Sequence, residues 1–329
     1  MPEAAATAHL APEVSPGIWQ IRLPLPFPVG VLNAYLLRSP DGFLLLDCGS
    51  KTQACRDALA LALETLGVPW KAIRRLVISH VHPDHFGLAA EVGERSGAEI
   101  LMHPAEAALV KPHGDDWLAP DGAWFTENGV PPDDVEEMLQ TWVGVAEFFD
   151  PIEPDGLLHD GDRLPVEGGN LEVICSPGHA PGLLVFFFPA RRLLFSSDHI
   201  VEKITPNIGL HVRAAGNPLG QYLASLDRLR PLEIDAILPS HGHVFRGHRE
   251  WIAATAEHHR QRCERMLATL AAAPRTAHDV ALAEWGNHLS PLNRRFAVAE
   301  ALAHLEYLRQ QGRVATVRTD GLLRWRKTS

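Results

Sequence analysis

The sequence predicts a layered α/β protein, an αββα sandwich followed by a C-terminal winged-helix unit, and three observations lead there. Short apolar runs alternate with amphipathic stretches twice over between residues 17 and 239, the pattern of strands followed by helices. Beyond His248 the pattern turns helical and closes on two short strand-like segments joined by Thr319-Asp320-Gly321. At 46% hydrophobic and 21% charged over 329 residues, the chain can bury a large core and lacks the bias of fibrous or disordered proteins.

Residues 1–16 read as a short frayed leader without the basic start or apolar middle of a secretory signal. Strands are expected over 17–22, 33–37 and 42–47, separated by the Pro-rich turn 24–28 and the turn 39–42. Ala58, Leu61 and Leu66 fall at helical spacing, which predicts a helix over 52–66 that stops at Gly67. A buried strand over 72–79 runs into a His-rich loop, followed by a helix over 86–95 and a strand over 99–102. Residues 103–155 break the rhythm with helical patterns at 104–111 and 132–149 around a Trp/Gly/Pro-rich connector, as a lid insertion would. Strands are then expected over 163–166, 171–176, 183–189 and 192–196, a helix over 219–228, and a last strand over 236–239.

The length suggests two domains, 1–250 and 251–329. In the second, a long helix over 251–273 is stopped by Pro274, and Thr276 serves as the next N-cap. Val298, Leu302, Leu305 and Leu308 mark one face of a helix over 295–311, ahead of a hairpin formed by 313–318 and 322–326.

Charge and cysteines exclude several classes. Lys and Arg total 30 against 40 Asp and Glu, yet residues 251–329 carry twelve basic side chains against seven acidic ones. An acidic body disfavours a grip on phosphate backbones, whereas the basic tail offers a contact surface for nucleic acid or for a homodimer. The segment 115–155 is acidic, with no Lys or Arg. Cys48, Cys55, Cys175 and Cys263 form no C-x-x-C pair, so they read as reduced core residues of a cytoplasmic protein. No apolar run approaches the length of a membrane span.

The chemistry concentrates at Ser79-His80-Val81-His82-Pro83-Asp84-His85. Side chains two apart on an extended chain share a face, so His80 and His82 converge at the strand's end, while Asp84 and His85 aim at a second point from the turn. Imidazole and carboxylate are ligands that zinc, iron or manganese accepts. A chance H-x-H-x-D-H occurs in roughly three chains per thousand of this composition, too few to dismiss the cluster as accidental. Three later strand ends present the same chemistry: Ser176-Pro177-Gly178-His179, Ser196-Ser197-Asp198-His199 and Pro239-Ser240-His241-Gly242-His243.

The order H-x-H-x-D-H, P-G-H, S-D, P-x-H-G, with Leu46-Asp47-Cys48-Gly49 before it, resembles the metallo-β-lactamase superfamily across nearly all of residues 15–250. The resemblance implies two divalent metal ions, zinc first, with iron or manganese as alternatives. His80, His82 and His179 would hold one, Asp84, His85 and His241 the other, and Asp198 would bridge them. Asp47 would orient a ligand, and His199 and His243 would flank the site. Two such ions sharing a water lower its pKa toward neutrality and supply hydroxide, with Asp84 and Asp198 orienting it and shuttling its proton.

Asp198 argues against the true β-lactamases, and the intact H-x-H-x-D-H against the flavodiiron branch. Glyoxalase II shares the ligand order, but its basic C-terminal helices have no clear counterpart. The tail, with His258-His259-Arg260-x-Arg262, Ala303-His304-Leu305-x-x-Leu308 and Gly312-Arg313-Val314, looks like a subgroup with a winged-helix appendage, as does Ile204-Thr205-Pro206-Asn207. Two functions follow. The favoured one is hydrolysis of a small thioester, ester or lactone, with Trp117, Trp124, Trp142, Phe148 and Phe149 offering an acyl pocket. The alternative is a single-strand endoribonuclease, with Arg294, Arg295, Arg313, Arg318, Arg324, Arg326 and Lys327 gathering phosphates.

Overall fold

Seven strands form the first sheet in chain order: β1 (Glu13–Ser15), β2 (Ile18–Pro24), β3 (Val31–Ser39), β4 (Gly42–Leu46), β5 (Ile73–Val77), β6 (Glu99–Met102) and β7 (Gly156–Leu157). The computed structural model describes residues 11–110, 119–212 and 216–328. β1 to β4 pair antiparallel, and β4 to β7 parallel, so helices must carry the chain back between β4, β5 and β6. Those helices are α1 (Gln53–Thr65), the single turn α2 (Pro83–Phe86) and α3 (Ala89–Ser96). The helix expected over 86–95 thus divides in two at Gly87-Leu88. Glu13–Ser15, expected within a frayed leader, instead pairs with β2 as the edge strand of the sheet, and residues 1–10 lie outside the described residues.

After β6 the insertion contains α4 (Pro104–Ala107), α5 (Ala119–Glu127) and α6 (Pro132–Val145). Lys111 and Trp117 lie outside the described residues. The second sheet runs β12-β11-β10-β9-β8, with β8 (Arg163–Val166), β9 (Gly169–Cys175), β10 (Leu184–Phe188), β11 (Leu193–Ser197) and β12 (Ala236–Pro239). Only its β11–β12 pair is parallel, and α7 (Pro218–Leu229) makes that crossover.

Alternation along each strand builds the layers. In β10, Leu184, Phe186 and Phe188 face the first sheet and Val185 and Phe187 face the outer helices. In β3, Tyr35 and Leu37 face inward while Ala34 and Leu36 pack on the side of α1. A strand covered on both faces reads as an unbroken apolar run, which is why β10 is Leu-Val-Phe-Phe-Phe. This is the αββα sandwich.

The C-terminal part comprises α8 (His248–Thr269), α9 (Ala277–Trp285), α10 (Pro291–Gln310) and the antiparallel pair β13 (Val314–Thr319) and β14 (Leu322–Lys327). Thr276 caps α9 in a reciprocal capping box with Asp279. Asp320 and Gly321 both take positive φ, as a two-residue hairpin turn requires. One continuous core runs from the outer face of the second sheet through α7 to Val280, Val298 and Leu302, and takes in Phe125, Val135 and Met138 of the insertion.

Ion pairs tie the same partners together: Arg294 to Asp134 and Glu137, buried Arg295 to Asp121, and Arg318 to Glu127. The basic tail and the acidic insertion therefore neutralise each other in part, whereas the sequence read them as separate surfaces. Trp124 packs on this core, and Trp142 lies under the Arg295 guanidinium at 4.6 Å. The cysteines are free thiols, Cys175 half-buried and the others buried. Among the described residues no helix is long and apolar enough to cross a membrane.

Phe186 sits between the sheets at 2% exposure. Phe186→Ala should lower unfolding free energy by about 3–5 kcal/mol, read as a shift in the denaturant midpoint without loss of the native circular-dichroism spectrum.

Candidate metal centre

Four strand ends and one turn of helix deliver seven side chains to one edge of the sandwich. His80 follows β5, and His82 stands just before α2, with Pro83 at its first position and Asp84 and His85 on its single turn. His179 lies in the β9–β10 turn, Asp198 follows β11, and His241 follows β12. Gly178 permits the close approach there: it has φ +143°, and a Cβ would meet the Tyr222 backbone at 2.6 Å.

The seven form two groups of potential ligands: His80, His82, His179 and Asp198, and Asp84, His85 and His241. In the first, His82 Nδ1 lies 2.9 Å from His80 Nε2 and 3.0 Å from His179 Nε2, and Asp198 Oδ2 lies 3.6 Å from His179 Nε2. In the second, Asp84 Oδ2 is 3.3 Å from His241 Nε2 and 3.7 Å from His85 Nε2. The other oxygen of Asp198, Oδ1, is 3.5 Å from His85 Nε2 and 3.4 Å from His241 Nε2. Ligands about 2.0–2.1 Å from a tetrahedral zinc ion stand roughly 3.3 Å apart, so both groups fit a cation. His85 Nε2 and Asp198 Oδ1 are also buried without a hydrogen-bond partner, a state a cation between them would resolve.

Electrostatics divides the groups. Burial lowers His80 and His179 and brings His82 down to about 3, so these imidazoles present neutral lone pairs. In the second group burial opposes charge, but Asp198 and Asp84 overcome it and raise His85, while Asp198 also raises His241. Asp198 is held well below the usual carboxylate range: burial resists its charge, and His241 and His85 outweigh that resistance.

Four of the five inward-facing imidazoles, those of His80, His85, His179 and His241, are held from behind, as metal-binding histidines usually are. Asp47 Oδ2 lies 2.8 Å from His85 Nδ1 and the same carboxylate accepts from Ser79 N and Oγ, so Asp47 is an orienting group. His179 Nδ1 donates to the Asn207 carbonyl at 2.8 Å and His241 Nδ1 to the Val31 carbonyl at 2.8 Å. Ser79 Oγ lies 3.1 Å from His80 Nδ1 and accepts from Ser197 Oγ. Fully buried Glu106 accepts from Val81 N at 2.9 Å and Gly182 N at 2.7 Å, clasping the loops that carry His80, His82 and His179. Burial pushes its carboxyl up to about 7 against those two bonds.

Glu106, Ser79, Ser197, Val31 and Asn207 were not singled out by sequence for this support. Two of them act through backbone carbonyls, which leave no mark in side-chain type. His199 is buried against the Tyr222 ring, and exposed His243 pairs with Glu202 at 3.0 Å; neither joins the two groups. Phe148 meets Phe27 edge-on at 5.1 Å, and its carbonyl accepts from Lys51 N, while Phe149 packs on Phe86 of α2. These two aromatics of the insertion thus reach the neighbourhood of the ligand helix, unlike Trp124 and Trp142. A third group, His259, Glu300 and His304, is buried in the C-terminal part. The Glu300 carboxylate is occupied by Arg262 and Asn207, and a guanidinium there opposes a further cation.

Comparison with known proteins agrees with this geometry. Residues 28–241 match the metallo-beta-lactamase superfamily, and residues 263–328 match the metallo-beta-lactamase-like C-terminal domain. The chain is 27% identical over 277 residues to a Bacillus subtilis (strain 168) protein named "Probable metallo-hydrolase YqjP", covering 79% of this chain and 82% of that one. It is 24% identical to the human acyl-coenzyme A thioesterase MBLAC2 over 65% of this chain and 74% of that one. The crystal structure of the metallo-beta-lactamase family protein TTHA1429 from Thermus thermophilus superposes with a TM-score of 0.82 at 31% identity, over 96% of this chain and all of that one. With the match spanning most of the sandwich and the His/Asp groups in place, the chain belongs to the metallo-β-lactamase superfamily and is a hydrolase of that family.

Proposed function

We propose that the chain is a dinuclear-metal hydrolase of a small acyl substrate, a thioester, ester or lactone. The observation that carries the dinuclear reading is Asp198, which offers Oδ2 to the His179 group and Oδ1 to His85 and His241. Two divalent cations held there, zinc in the first instance, would activate a shared water near neutral pH and steady the developing oxyanion. The chain's own groups do the rest. Asp47 fixes His85 with Nε2 facing inward, and Glu106 keeps the two ligand loops in register. Asp84 and Asp198 orient the attacking water, and Asp84 takes its proton at a carboxylate oxygen.

Charge supports a small substrate. Of the seven basic residues offered as phosphate contacts, Arg294, Arg295, Arg313 and Arg318 are engaged with carboxylates of this chain. Arg294 and Arg295 are largely buried in their pairs and have little left to give a polyanion. The winged-helix character of residues 251–329 belongs to the same reading: three helices and a hairpin serve as a packing module rather than a nucleic-acid grip. The relative named as an acyl-coenzyme A thioesterase favours an acyl substrate, and half-buried Phe27 and Phe148 offer it an apolar wall.

Purified after zinc-replete expression, the chain should carry about two equivalents of metal by elemental analysis; less than half an equivalent would refute the reading. Asp84→Asn should lower turnover by about 10²–10⁴-fold while leaving the circular-dichroism spectrum unchanged, and a fully active variant would remove its assigned role. One preparation assayed on acyl thioesters and on labelled single-stranded RNA, with His82→Ala as blank, should cleave the thioesters. Cleavage of RNA alone, steeply suppressed by salt, would reverse the substrate assignment.

A further inference from the structure

A chain of contacts runs from the metal centre into the C-terminal helices. His179 Nδ1 donates to the Asn207 carbonyl, and the Asn207 side chain donates to Glu300 Oε2 at 2.8 Å. Glu300 is 8% exposed on α10, and its other oxygen pairs with Arg262 of α8. Arg262 is itself braced, 3.4 Å from Glu284 and over the Trp285 ring of α9. The segment is latched a second time where Leu210 N donates to the Ala299 carbonyl at 2.9 Å, and Ile208 between the latches is fully buried.

We propose that Glu300, clamped by Arg262, is a positioning residue that sets metal affinity by holding the Asn207 carbonyl against His179. The inference rests on the metal-centre reading above and adds a role for the C-terminal helices that requires no nucleic acid. The segment 200–212 has no strand or helix of its own to fix the carbonyl. Position and tautomer of His179 are therefore inherited from the Asn207 side chain and the carboxylate it donates to. Outright removal of such a partner typically costs about 10–100-fold in metal affinity, and a carbonyl that stays but loses its anchor should cost less. Arg262 also has Glu284 as a carboxylate partner, so an amide at position 300 would not leave the guanidinium buried and unpaired.

The experiment is zinc affinity of the full chain, measured by competition with a chromophoric chelator, for the wild type, Asn207→Ala, Glu300→Ala, Glu300→Gln and Leu305→Ala. Leu305 is a fully buried core residue of α10 outside the relay, so its truncation reports destabilisation alone. Asn207→Ala and Glu300→Ala, which loosen the carbonyl without removing it, should each weaken zinc binding by up to about 10-fold, the lower end of the loss for deleting such a partner. Glu300→Gln, which keeps an acceptor for Asn207, should retain most of the affinity, and Leu305→Ala should lower the melting temperature without weakening zinc. Wild-type affinity in both alanine variants of the relay, or an equal loss in Leu305→Ala, would overturn the relay alone. A wild-type chain that retains no zinc would overturn the metal-centre reading and the relay with it.

Discussion

The site depends on one carboxylate shared between two sets of imidazoles. Asp198 stands where β11 ends, and each of its oxygens faces a different group. It can do so because Ser197 before it turns the chain with φ +48°, a conformation that costs a non-glycine residue free energy. Asp47, at the end of β4, is turned in the same way with φ +58° and supports His85 from behind. Strained backbone beside a cluster of buried charge persists only where the surroundings over-determine it. Here two sheets, packed through Phe186, Phe195, Leu44 and Val77, hold the strand ends in place.

The clustering of these side chains was legible in the sequence because the sandwich writes it locally. His80 and His82 are two apart at a strand end, and Asp84 and His85 fall on the next turn, so spacing alone orders them. His179, Asp198 and His241 each close an apolar run, and that placement on a buried strand is visible in one dimension. The supports were not legible, since backbone carbonyls of Val31 and Asn207 have no sequence signature and Glu106 reads as one more acid in a helical stretch. At the level of elements, β7 spans two residues and α5 has Pro, Asp and Gly in its first turns, so neither carries enough pattern to be seen.

Charge was misread for a related reason. Arg295 and Asp121 are 174 positions apart, and nothing in composition links them. Summing charge by segment produced an acidic insertion and a basic tail, two surfaces facing different partners. In the folded chain part of that charge is satisfied across their interface, over a shared apolar core. The insertion is therefore less a free rim than a layer packed on the C-terminal helices, and those helices reach the site separately, through Asn207.

The central claim, that seven side chains converge on a pair of cations sharing Asp198, is tested most directly by anomalous diffraction from crystals of the zinc-loaded chain. Two peaks about 3.5–4 Å apart are expected, with Asp198 between them, His80, His82 and His179 around one, and Asp84, His85 and His241 around the other. A single peak, or density lying away from these residues, would contradict it.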